Sequence, residues 1–387
     1  MTTVAVLGAG YAGAKAAQSL DRQLSDRGTE LVWVSDCDYH LVLHEAHRVV
    51  RDPEVADAIT VPVAEIAPGA EFVEGTVDRV DVEERTVAVD DARDVEYDYA
   101  LVALGSETAF YGIPGVDEHA HTLKTLDDAL GIHEAVVDAA ASATHDDPAR
   151  VVVGGAGLSG VQTAGEVAEY RDHHDAPVEV RLVEALEEVF PGNDESVQRA
   201  LRRRLADADV TVTTGDPVTE VTADELRFDE GDPLECDVFV WTGGITGCEP
   251  LESLSVDREE HSNRVLADVT FRTSDERVFA VGDAAVIEGA DGDDPAPPTA
   301  QAAWQAADVA AGNLLRAMDG RSLERWRYED KGTLVSVGER AVAHDVMFMP
   351  VDTFGSLPAV FLKKFVAARW IADMSDWRTA LGAWSAL

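Results

Sequence analysis

The sequence predicts an α/β protein with two parallel-sheet units and a C-terminal α/β extension that ends in an amphipathic helix. Two segments indicate the units: TVAVLGAGYAGAKAA (3–17) and RVVVGGAGLSGVQTAGEVAEY (150–170) each run from a buried strand through a glycine turn into a helix. Each segment is followed by a second strand, at 31–36 and 178–184, that ends in an acidic residue. A strand–turn–helix–strand unit places its two strands parallel in one sheet.

Length and charge define the broad class of protein. A chain of 387 residues, 46% of them hydrophobic, is long enough for two or three domains with proper cores. Its 74 acidic residues outnumber 31 basic ones, only five of which are lysines, and the net charge is −43. Because the acids are spread along the whole chain, they predict a solvated surface similar to that of proteins from halophilic archaea, where the screening length near 1 M salt is about 3 Å. The same charge argues against nucleic acid as a partner.

The cysteines and the apolar runs exclude several classes of site. Cys37, Cys236 and Cys248 form no CxxC or CxxxxC pair, which argues against a dithiol redox centre and a zinc site. No metal ligand is therefore predicted. No signal-peptide pattern precedes the first strand and no run of 18 apolar residues occurs, so we expect a cytoplasmic protein that does not span a membrane by itself.

The first glycine turn, GAGYAG, carries Gly8, Gly10 and Gly13 in the GxGxxG pattern. Such glycines permit the tight turn, the approach of a pyrophosphate and close packing of the helix, whose N-terminus faces the phosphates. The segment therefore predicts a dinucleotide site. An acid that binds ribose is expected after the second strand, and the spacing in the two units favours Asp36.

The second glycine turn, GAGLSG, supplies Gly155, Gly157 and Gly160 for a second dinucleotide. Glu184 ends the following strand, where a carboxylate binds ribose hydroxyls and repels a 2′-phosphate, so the sequence favours NADH over NADPH. Two dinucleotide sites in one chain indicate electron transfer, typically from nicotinamide to flavin. A third segment supports a flavin: RVFAVGDAA is a buried strand that ends at Gly282 and Asp283, and the aspartate is a candidate to hold the ribityl chain.

PPTAQAAWQAADVAAG (297–312) predicts a helix that starts near Pro298 and stops at Gly312. Gln301 and Gln305 lie one turn apart on the same face of this helix. Exposed surface amides and amides that face a ligand both fit this pattern.

These motifs resemble the type II NADH dehydrogenases, single-chain FAD enzymes of the pyridine nucleotide-disulfide oxidoreductase superfamily. Further matching stretches are DYH (38–40), EYDYALVALGSETAFYGIPG (96–115), WTGGI (241–245) and YEDKGTLVSVG (328–338). The resemblance implies three parts in the chain. They are an FAD-binding domain at 1–110 and 258–322, an NADH-binding domain at 111–257, and a C-terminal region for dimer contacts or membrane docking at 323–387.

The resemblance also implies roles for individual residues. It places the glutamine helix with its N-terminus at the flavin, both glutamines beside a quinone pocket, and Lys331 near the flavin. In four places this chain departs from the family. Leu104 replaces a threonine, and the family's ribose-binding acid falls on Ser35, one residue before Asp36. Gln162 replaces a glutamate implicated in quinone or proton handling, and a proline-containing stretch of the family reads VLHEAHR here. The residues assigned are Val77, Gly105, Ala300 and Gln301 for FAD, Gly243 for NADH, Gln301 and Gln305 for quinone, and Lys331 and Gln162 for catalysis.

Three histidines, His40, His44 and His47, occur at i, i+4 and i+7, which predicts one helical face. With Glu45 they form at best a weak candidate for a metal site, because no further ligands are evident. Imidazoles that face the flavin or a neighbouring subunit fit better, and one of them is a candidate proton relay.

The tail, residues 355–387, carries four basic residues, Lys363 among them, and two acidic ones. Its apolar residues repeat at intervals of 4, 3, 4 and 3, which predicts a single amphipathic helix. The repeating residues are Trp370, Met374, Trp377, Leu381 and Trp384. Tryptophan and basic residues on such a helix are typical of membrane surfaces, and packing within a homodimer is the alternative.

Together the motifs and the resemblance predict an FAD enzyme that takes a hydride from NADH and passes two electrons to a membrane quinone without pumping protons. We expect it to be a homodimer bound peripherally to the inner face of the cell membrane. Two alternatives are a soluble NADH-dependent reductase of ferredoxin or another acceptor, and an NADH-responsive flavin sensor with little turnover.

Overall fold

The computed structural model describes residues 2–90, 93–289, 294–347, 349, 352–355 and 357–387. Its first part, to residue 119, contains the strands and the long helix of the first predicted unit together with several short elements. These are β1 Thr2–Leu7, α1 Tyr11–Leu24, β2 Thr29–Ser35, β3 Tyr39–Leu41, α2 His47–Arg51, α3 Ala56–Ile59, β4 Thr60–Pro62, α4 Val63–Ile66, β5 Glu71–Glu74, β6 Val77–Asp81, β7 Thr86–Val89, β8 Arg93–Glu96, β9 Tyr99–Val102, β10 Glu107–Thr108 and α5 Val116–His119.

The middle of the chain repeats the pattern of strand, glycine turn, helix and strand. Its elements are α6 Leu126–Ser142, β11 Ala149–Gly154, α7 Leu158–His174, β12 Val178–Glu184, α8 Glu195–Asp207, β13 Val210–Thr214, β14 Val218–Val221, β15 Glu225–Phe228, β16 Leu234–Glu235, β17 Val238–Trp241 and β18 Ile245–Thr246.

The last part completes the first sheet and then adds a separate antiparallel sheet and two helices. Its elements are β19 Val265–Ala267, β20 Val278–Ala280, β21 Ala285–Ile287, α9 Ala300–Met318, β22 Thr333–Val337, β23 Arg340–His344, β24 Thr353–Gly355, α10 Leu357–Met374 and α11 Trp377–Ala383.

Two parallel sheets organise the molecule, with strand orders β20-β9-β1-β2-β5 and β13-β12-β11-β17. In each sheet the chain moves from the central strand, β1 or β11, to one side and later returns to the other side. A topological switch point therefore lies at the carboxyl end of β1 and of β11, where α/β proteins of this type bind ligands. The predicted α/β fold with two Rossmann-like units is confirmed.

The central strands are continuous apolar runs in the sequence because both of their faces are buried. Residues 4–7 of β1 and 151–154 of β11 are buried. Helices α1 and α9 pack on the first sheet and α6 and α7 on one face of the second, whose other face packs against β14 and β15. Burying each of the larger side chains contributes roughly 1.5–3 kcal/mol. The sheets therefore hold the two glycine turns on rigid supports.

The glutamine helix α9 runs to Met318, so the predicted stop at Gly312 is wrong. A glycine inside a helix costs only about 1 kcal/mol relative to alanine. Leu314 and Leu315, which follow Gly312, are both buried in the core, and this burial outweighs that cost.

The tail forms two helices instead of the single amphipathic helix that was predicted. Asp376 interrupts the run and caps α11 by accepting hydrogen bonds from the backbone N–H groups of Arg378 and Thr379. The predicted stripe is therefore divided: Trp370 and Met374 are buried in the body, whereas Trp377 and Leu381 are exposed. Within the described residues, no helix is both long and apolar enough to cross a bilayer.

The prediction that three histidines share one helical face is also wrong. His40 lies in strand β3, His44 in a 3₁₀ turn at Leu43–Glu45, and His47 opens α2. His40 and His47 are buried, and His44 packs against the ring of Tyr11, to which it is hydrogen-bonded. Burial lowers the pKa of both His40 and His44 to about 4, so both imidazoles are neutral at pH 7.

Salt is expected to stabilise the fold. Only three of the described carboxylates, Glu45, Glu166 and Glu184, are buried, so the remaining acids repel one another across the surface. Lowering KCl from about 3 M to about 0.1 M lengthens the screening distance to about 10 Å and should lower the midpoint of thermal unfolding. Calorimetry checks this, with sucrose as the control because it does not screen charge. An unfolding midpoint independent of KCl would contradict the prediction.

Acid is expected to destabilise the fold through the buried imidazoles. Between about pH 6.5 and pH 4 the unfolded chain binds protons at His40 and His44 that the folded chain does not bind, so stability falls as the pH falls through this window. The loss should reach on the order of 3 kcal/mol per imidazole by pH 4. Chemical denaturation at several pH values in about 3 M KCl measures it, since screening is then strong. His44→Gln should flatten the slope, and His145→Gln, at an exposed site, should leave it unchanged.

Candidate functional site

The glycine turn after β1 has no room for side chains at two positions. Gly8 has φ +101°, and a Cβ on it would lie 2.4 Å from the carbonyl oxygen of Ala103; a Cβ on Gly13 would lie 2.0 Å from the carbonyl oxygen of Gly8. The turn after β11 has the same geometry. Gly155 has φ +91°, and a Cβ on Gly160 would lie 1.8 Å from the Gly155 carbonyl oxygen. In both turns the N-terminus of the following helix therefore packs closely against the end of the central strand.

The helices that follow these turns begin without a side-chain cap. Gly10 and Gly157 occupy the N-cap positions of α1 and α7, and a Cβ on either would meet no atom within 4 Å. Among the longer helices, α6, α8 and α9 are capped by the side chains of Thr125, Asp194 and Thr299, and the shorter α11 is capped by Asp376. Unpaired N–H groups that face open space at a helix N-terminus are what a pyrophosphate requires. The residues present therefore fit a dinucleotide at each turn.

The backbone hydrogen bonds between neighbouring strands show which residue of each unit occupies the position expected to bind the ribose. Gly8 N–H donates to Val34, and Gly155 N–H donates to Val183, both at 2.8 Å. By this register Ser35 is the counterpart of Glu184, whereas the spacing of the two units favours Asp36, and both residues stay predictions for the ribose. The exposed carboxylate of Asp36 lies beside Ser35, since the Ser35 hydroxyl donates to Asp36 at 3.3 Å.

Glu184 already organises the second turn. One of its carboxylate oxygens accepts from the N–H of Ala156 at 2.7 Å, and the other accepts from Leu186 at 2.9 Å. Gly243 packs against the same turn, with its Cα 2.9 Å from the position of a Cβ on Gly155. The structure thus brings together all five residues predicted for NADH.

Gly282 and Asp283 follow β20, the edge strand of the first sheet, and reach the first glycine turn. A Cβ on Gly282, which has φ +71°, would lie 3.0 Å from the Cβ of Ala12 in α1. Burial raises the pKa of Asp283, and the cations of Lys124 and Arg264 oppose this increase. Arg264 also donates to the Asp283 carbonyl at 2.7 Å, which fixes the backbone there.

The other residues predicted for FAD lie around the same sheet. Gly105 has φ +74° and follows β9, Val77 begins β6 and is buried, and Ala300 is the first residue of α9. The capping Thr299 lines a narrow cavity together with Gly282 and Asp283. A larger groove of about 300 Å³ lies at the opposite ends of α1 and α9, remote from both turns.

The two glutamines of α9 hold the backbone of the segment before β22. Gln301 accepts from the N–H of Lys331 at 2.7 Å and donates to the Gly332 carbonyl at 3.4 Å. Gln305 donates to the Glu329 carbonyl at 2.8 Å and accepts from the Glu329 N–H at 3.2 Å. Both amides are thus paired with the chain itself, while the Lys331 side chain is exposed. Their predicted contact with a quinone would compete with these bonds.

Gln162 is buried near the start of α7 and contacts His47, the first residue of α2. Its amide nitrogen lies 2.9 Å from Nε2 of His47 and donates to the hydroxyl of Ser336 at 3.1 Å. The Nζ atom of Lys363 lies 3.3 Å from the same imidazole nitrogen. Gln162 therefore links α7 to α2 and β22, and His47 adds α10 through Lys363.

Sequence reasoning missed a buried ionic cluster beside Gln162, formed by Glu45, Arg48, Glu166 and Lys363. Lys363 Nζ donates to Glu45 at 2.8 Å, and Arg48 donates to the other oxygen of Glu45. Glu166 accepts no hydrogen bond at either oxygen, and its nearest cation is Nε of Arg51 at 3.3 Å. The only sequence signals were the charges in HEAHR and FLKKF, and Lys363 was wrongly counted with the membrane-facing basic residues.

The charges of this cluster perturb one another strongly. Burial raises the pKa of Glu45, but the cations of Lys363 and Arg48 outweigh it and hold this pKa well below its usual range. Burial lowers the pKa of Lys363 to about 8 and raises that of Glu166. Burial therefore shifts the pKa of Lys363 and the pKa of Glu166 in the directions that favour the neutral form of each group.

Two further predictions concern cysteines and metals. Cys37, Cys236 and Cys248 are free thiols. No metal site was predicted, but among the described residues Glu169, His173 and Glu339 bring ligand atoms within 4.8 Å of one another. Two of the three are exposed, and surface groups of this kind are common without a metal.

The comparisons with known proteins agree with this geometry. The profile of the pyridine nucleotide-disulphide oxidoreductases matches residues 2–307. The type II NADH:quinone oxidoreductase of Staphylococcus saprophyticus is 28% identical over 388 residues, which cover 95% of this chain and 94% of that protein.

Solved structures show the same fold. NDH2 from Plasmodium falciparum in complex with NADH has a TM-score of 0.83 at 15% identity, covering 99% of this chain and 97% of that one. The sulfide:quinone oxidoreductase of Aquifex aeolicus has a TM-score of 0.79 at 18% identity, covering 98% and 92%. With the profile matching most of its length, and with two glycine turns built as that fold requires, the chain belongs to the pyridine nucleotide-disulphide oxidoreductase family.

Proposed function

We propose that the protein is an FAD-dependent NADH:quinone oxidoreductase of type II. The observation that carries this proposal is the pair of uncapped helix N-termini, α1 and α7, at the switch points of two parallel sheets. Similarity to type II NADH:quinone oxidoreductases over 95% of the chain supports the same function.

The first sheet holds FAD in this proposal, and residues 1–110 and 258–322 form its domain. Gly8, Gly10 and Gly13 receive the pyrophosphate, Ser35 and Asp36 bind the ribose, and Asp283 holds the ribityl chain. The N-terminus of α9, at Ala300, provides partial positive charge at the flavin. Val77, Gly105 and Gln301 complete the site.

The second sheet holds NADH, and residues 111–257 form its domain. The carboxylate of Glu184 binds the adenosine ribose and disfavours NADPH. Bound FAD supplies hydride acceptance and two-electron transfer. The chain supplies orientation and exclusion of water, and no protein nucleophile is required.

The quinone is proposed to bind beside Gln301, Gln305 and Lys331. Gln162 does not release a proton, because a carboxamide carries no titratable hydrogen. Protons for the reduced quinone must therefore come from other groups. His47 is the ionisable residue in contact with Gln162, and the buried Lys363 and Glu166 lie 3.3 and 3.9 Å from the His47 imidazole.

The membrane-docking surface is proposed to be an apolar patch on the tail helices. Of nine large hydrophobic residues exposed among those described, five lie in α10 and α11: Leu357, Phe361, Phe365, Trp377 and Leu381. Phe361 and Trp384 are in ring contact, which places both helices on one side of the molecule. This patch would rest on the inner face of the cell membrane, and its alternative occupant is a second copy of the chain.

The purified protein should be yellow, and NADH should bleach it before menadione restores the colour. Two matched variants separate the sites: Gly10→Val should fold but lose FAD, whereas Gly157→Val should stay yellow but resist bleaching by NADH. Both glycines have extended backbones that other residues adopt, with space for a side chain where the pyrophosphate would lie. Absorbance spectra in about 2–3 M KCl, where charges are screened, measure this.

The rate of NADH oxidation with different electron acceptors distinguishes the proposed function from its alternatives. Menadione should support NADH oxidation at least tenfold faster than ferredoxin. Faster turnover with ferredoxin would favour the soluble reductase, and slow reoxidation with every acceptor would favour the sensor. A colourless protein would end the proposal.

The apolar patch should bind lipid. Phe361→Ser combined with Trp377→Ser should reduce pelleting with phosphatidylglycerol liposomes in about 3 M KCl at least fivefold, because apolar burial is then the main attraction. Leu186→Ser, at an exposed apolar site outside the tail, is the control. Unchanged pelleting with a change from dimer to monomer would assign the patch to a subunit interface.

A further inference from the structure

The end of α10 is hydrogen-bonded, through one histidine, to the first glycine turn. The indole N–H of Trp370 donates to Nε2 of His40 at 2.8 Å, and Nδ1 of His40 lies 2.7 Å from the carbonyl oxygen of Ala9. Trp370 and His40 are both fully buried. Ala9 lies between the first two glycines of the turn.

The chemistry of these groups fixes the direction of the chain of bonds. An indole nitrogen only donates, so Nε2 of His40 must be the acceptor. The proton of the neutral imidazole is therefore on Nδ1, from which it is donated to the Ala9 carbonyl. Trp370 thus selects the tautomer that can hold this carbonyl.

Holding the Ala9 carbonyl also orients the next N–H group. In a planar trans peptide the C=O and N–H bonds point in opposite directions. A hydrogen bond that draws the Ala9 carbonyl toward His40 therefore turns the Gly10 N–H away from His40, at the uncapped start of α1. Trp33 acts in the same way on the preceding peptide, since its indole N–H donates to the Gly8 carbonyl at 3.0 Å.

Further contacts tie the same part of α10 to α1. Lys15 donates to the carboxylate of Asp373 at 2.8 Å, and Gln18 donates to the Asp373 carbonyl at 2.7 Å. The ring of Trp370 packs against Tyr11, with 4.8 Å between their centroids.

Among the described residues, no hydrogen bond links the second glycine turn to the tail in this way. The carbonyl of Ala156, the counterpart of Ala9, accepts from the backbone N–H of Phe190 at 2.8 Å. The bond to the tail is therefore specific to the first turn.

We propose that Trp370 is a positioning residue for the FAD site, which acts through His40 to orient the turn that receives the FAD pyrophosphate. The inference rests on the proposed assignment of FAD to the first turn. It makes α10 a part of the flavin site in addition to its proposed role at the membrane.

The test is the affinity of the apoprotein for FAD, followed by flavin fluorescence in lipid-free buffer at high KCl. Trp370→Phe keeps a ring in place and removes the N–H, and it should weaken FAD binding about three- to tenfold, the effect of one hydrogen bond. Trp33→Phe should have a similar effect. Trp377→Phe, an exposed change in the same tail, should bind FAD as the wild type does, and NADH affinity should be unchanged in all three variants. FAD affinity in Trp370→Phe equal to that in Trp377→Phe would overturn the inference.

Two measurements distinguish positioning from general support. In a double-mutant cycle, Trp370→Phe should add no further loss of FAD affinity to His40→Leu, because both remove the same chain of bonds. Nitrogen-15 spectra of histidine-labelled wild-type apoprotein, assigned with His40→Leu, should show His40 as the Nδ1–H tautomer. The opposite tautomer would refute the inference even if Trp370→Phe failed to fold, and wild type that binds no FAD would instead refute the proposed function.

Discussion

Two helix N-termini left without a side-chain cap are the constraint on which the rest of this structure depends. Each lies at the carboxyl end of a central strand, and in each turn the carbonyl groups are bonded from outside. Trp33 and His40 hold the first turn, whereas Thr242 and the backbone of Phe190 hold the second. With their carbonyls held this way, the turns present N–H groups to the space in front of the helix, where an anion is stabilised. The same electrostatic arrangement is thus built twice, from unrelated side chains.

Two of the few lysines in this acidic chain are buried and paired with carboxylates. Lys15 and Lys363, two of only five lysines, are buried, and each is bonded to a carboxylate. A buried ion pair adds little stability compared with apolar packing, but removal of one partner is costly, commonly about 3–5 kcal/mol. The two pairs therefore specify the position of α10 against α1 and against the segment before α2. The side chains of Lys363 and Glu45 are 4% and 1% exposed, so this pair is also protected from the screening that weakens surface pairs in concentrated salt, whereas Asp373 is 34% exposed.

Local patterns predicted the fold because its determinants are local. The glycine turns, the buried strands and Glu184 at the end of β12 can each be recognised from a stretch of about 35 residues. The contacts that the sequence did not predict join distant segments. Gln305 is paired with Glu329, His40 with Trp370, and Lys363 with Glu45, and none of these pairs leaves a periodic signal. Asp376 is the exception: an N-cap between two helices is a local signal, but the apolar period continued through it.

The tail has two faces whose chemistry differs. The inner face of α10 is bonded to the first glycine turn by Trp370, through His40, and to α1 by Asp373, and the outer face exposes Phe361 and Phe365. Near 1 M salt the screening length is about 3 Å, so in the proposed docking basic side chains would gain little from an anionic lipid surface and apolar burial would have to provide the attraction. A change that such docking imposed on α10 would then reach the turn through short, buried hydrogen bonds that salt does not screen. Because linkage is reciprocal, a tail that tightens FAD binding when docked would also dock more tightly when FAD is bound.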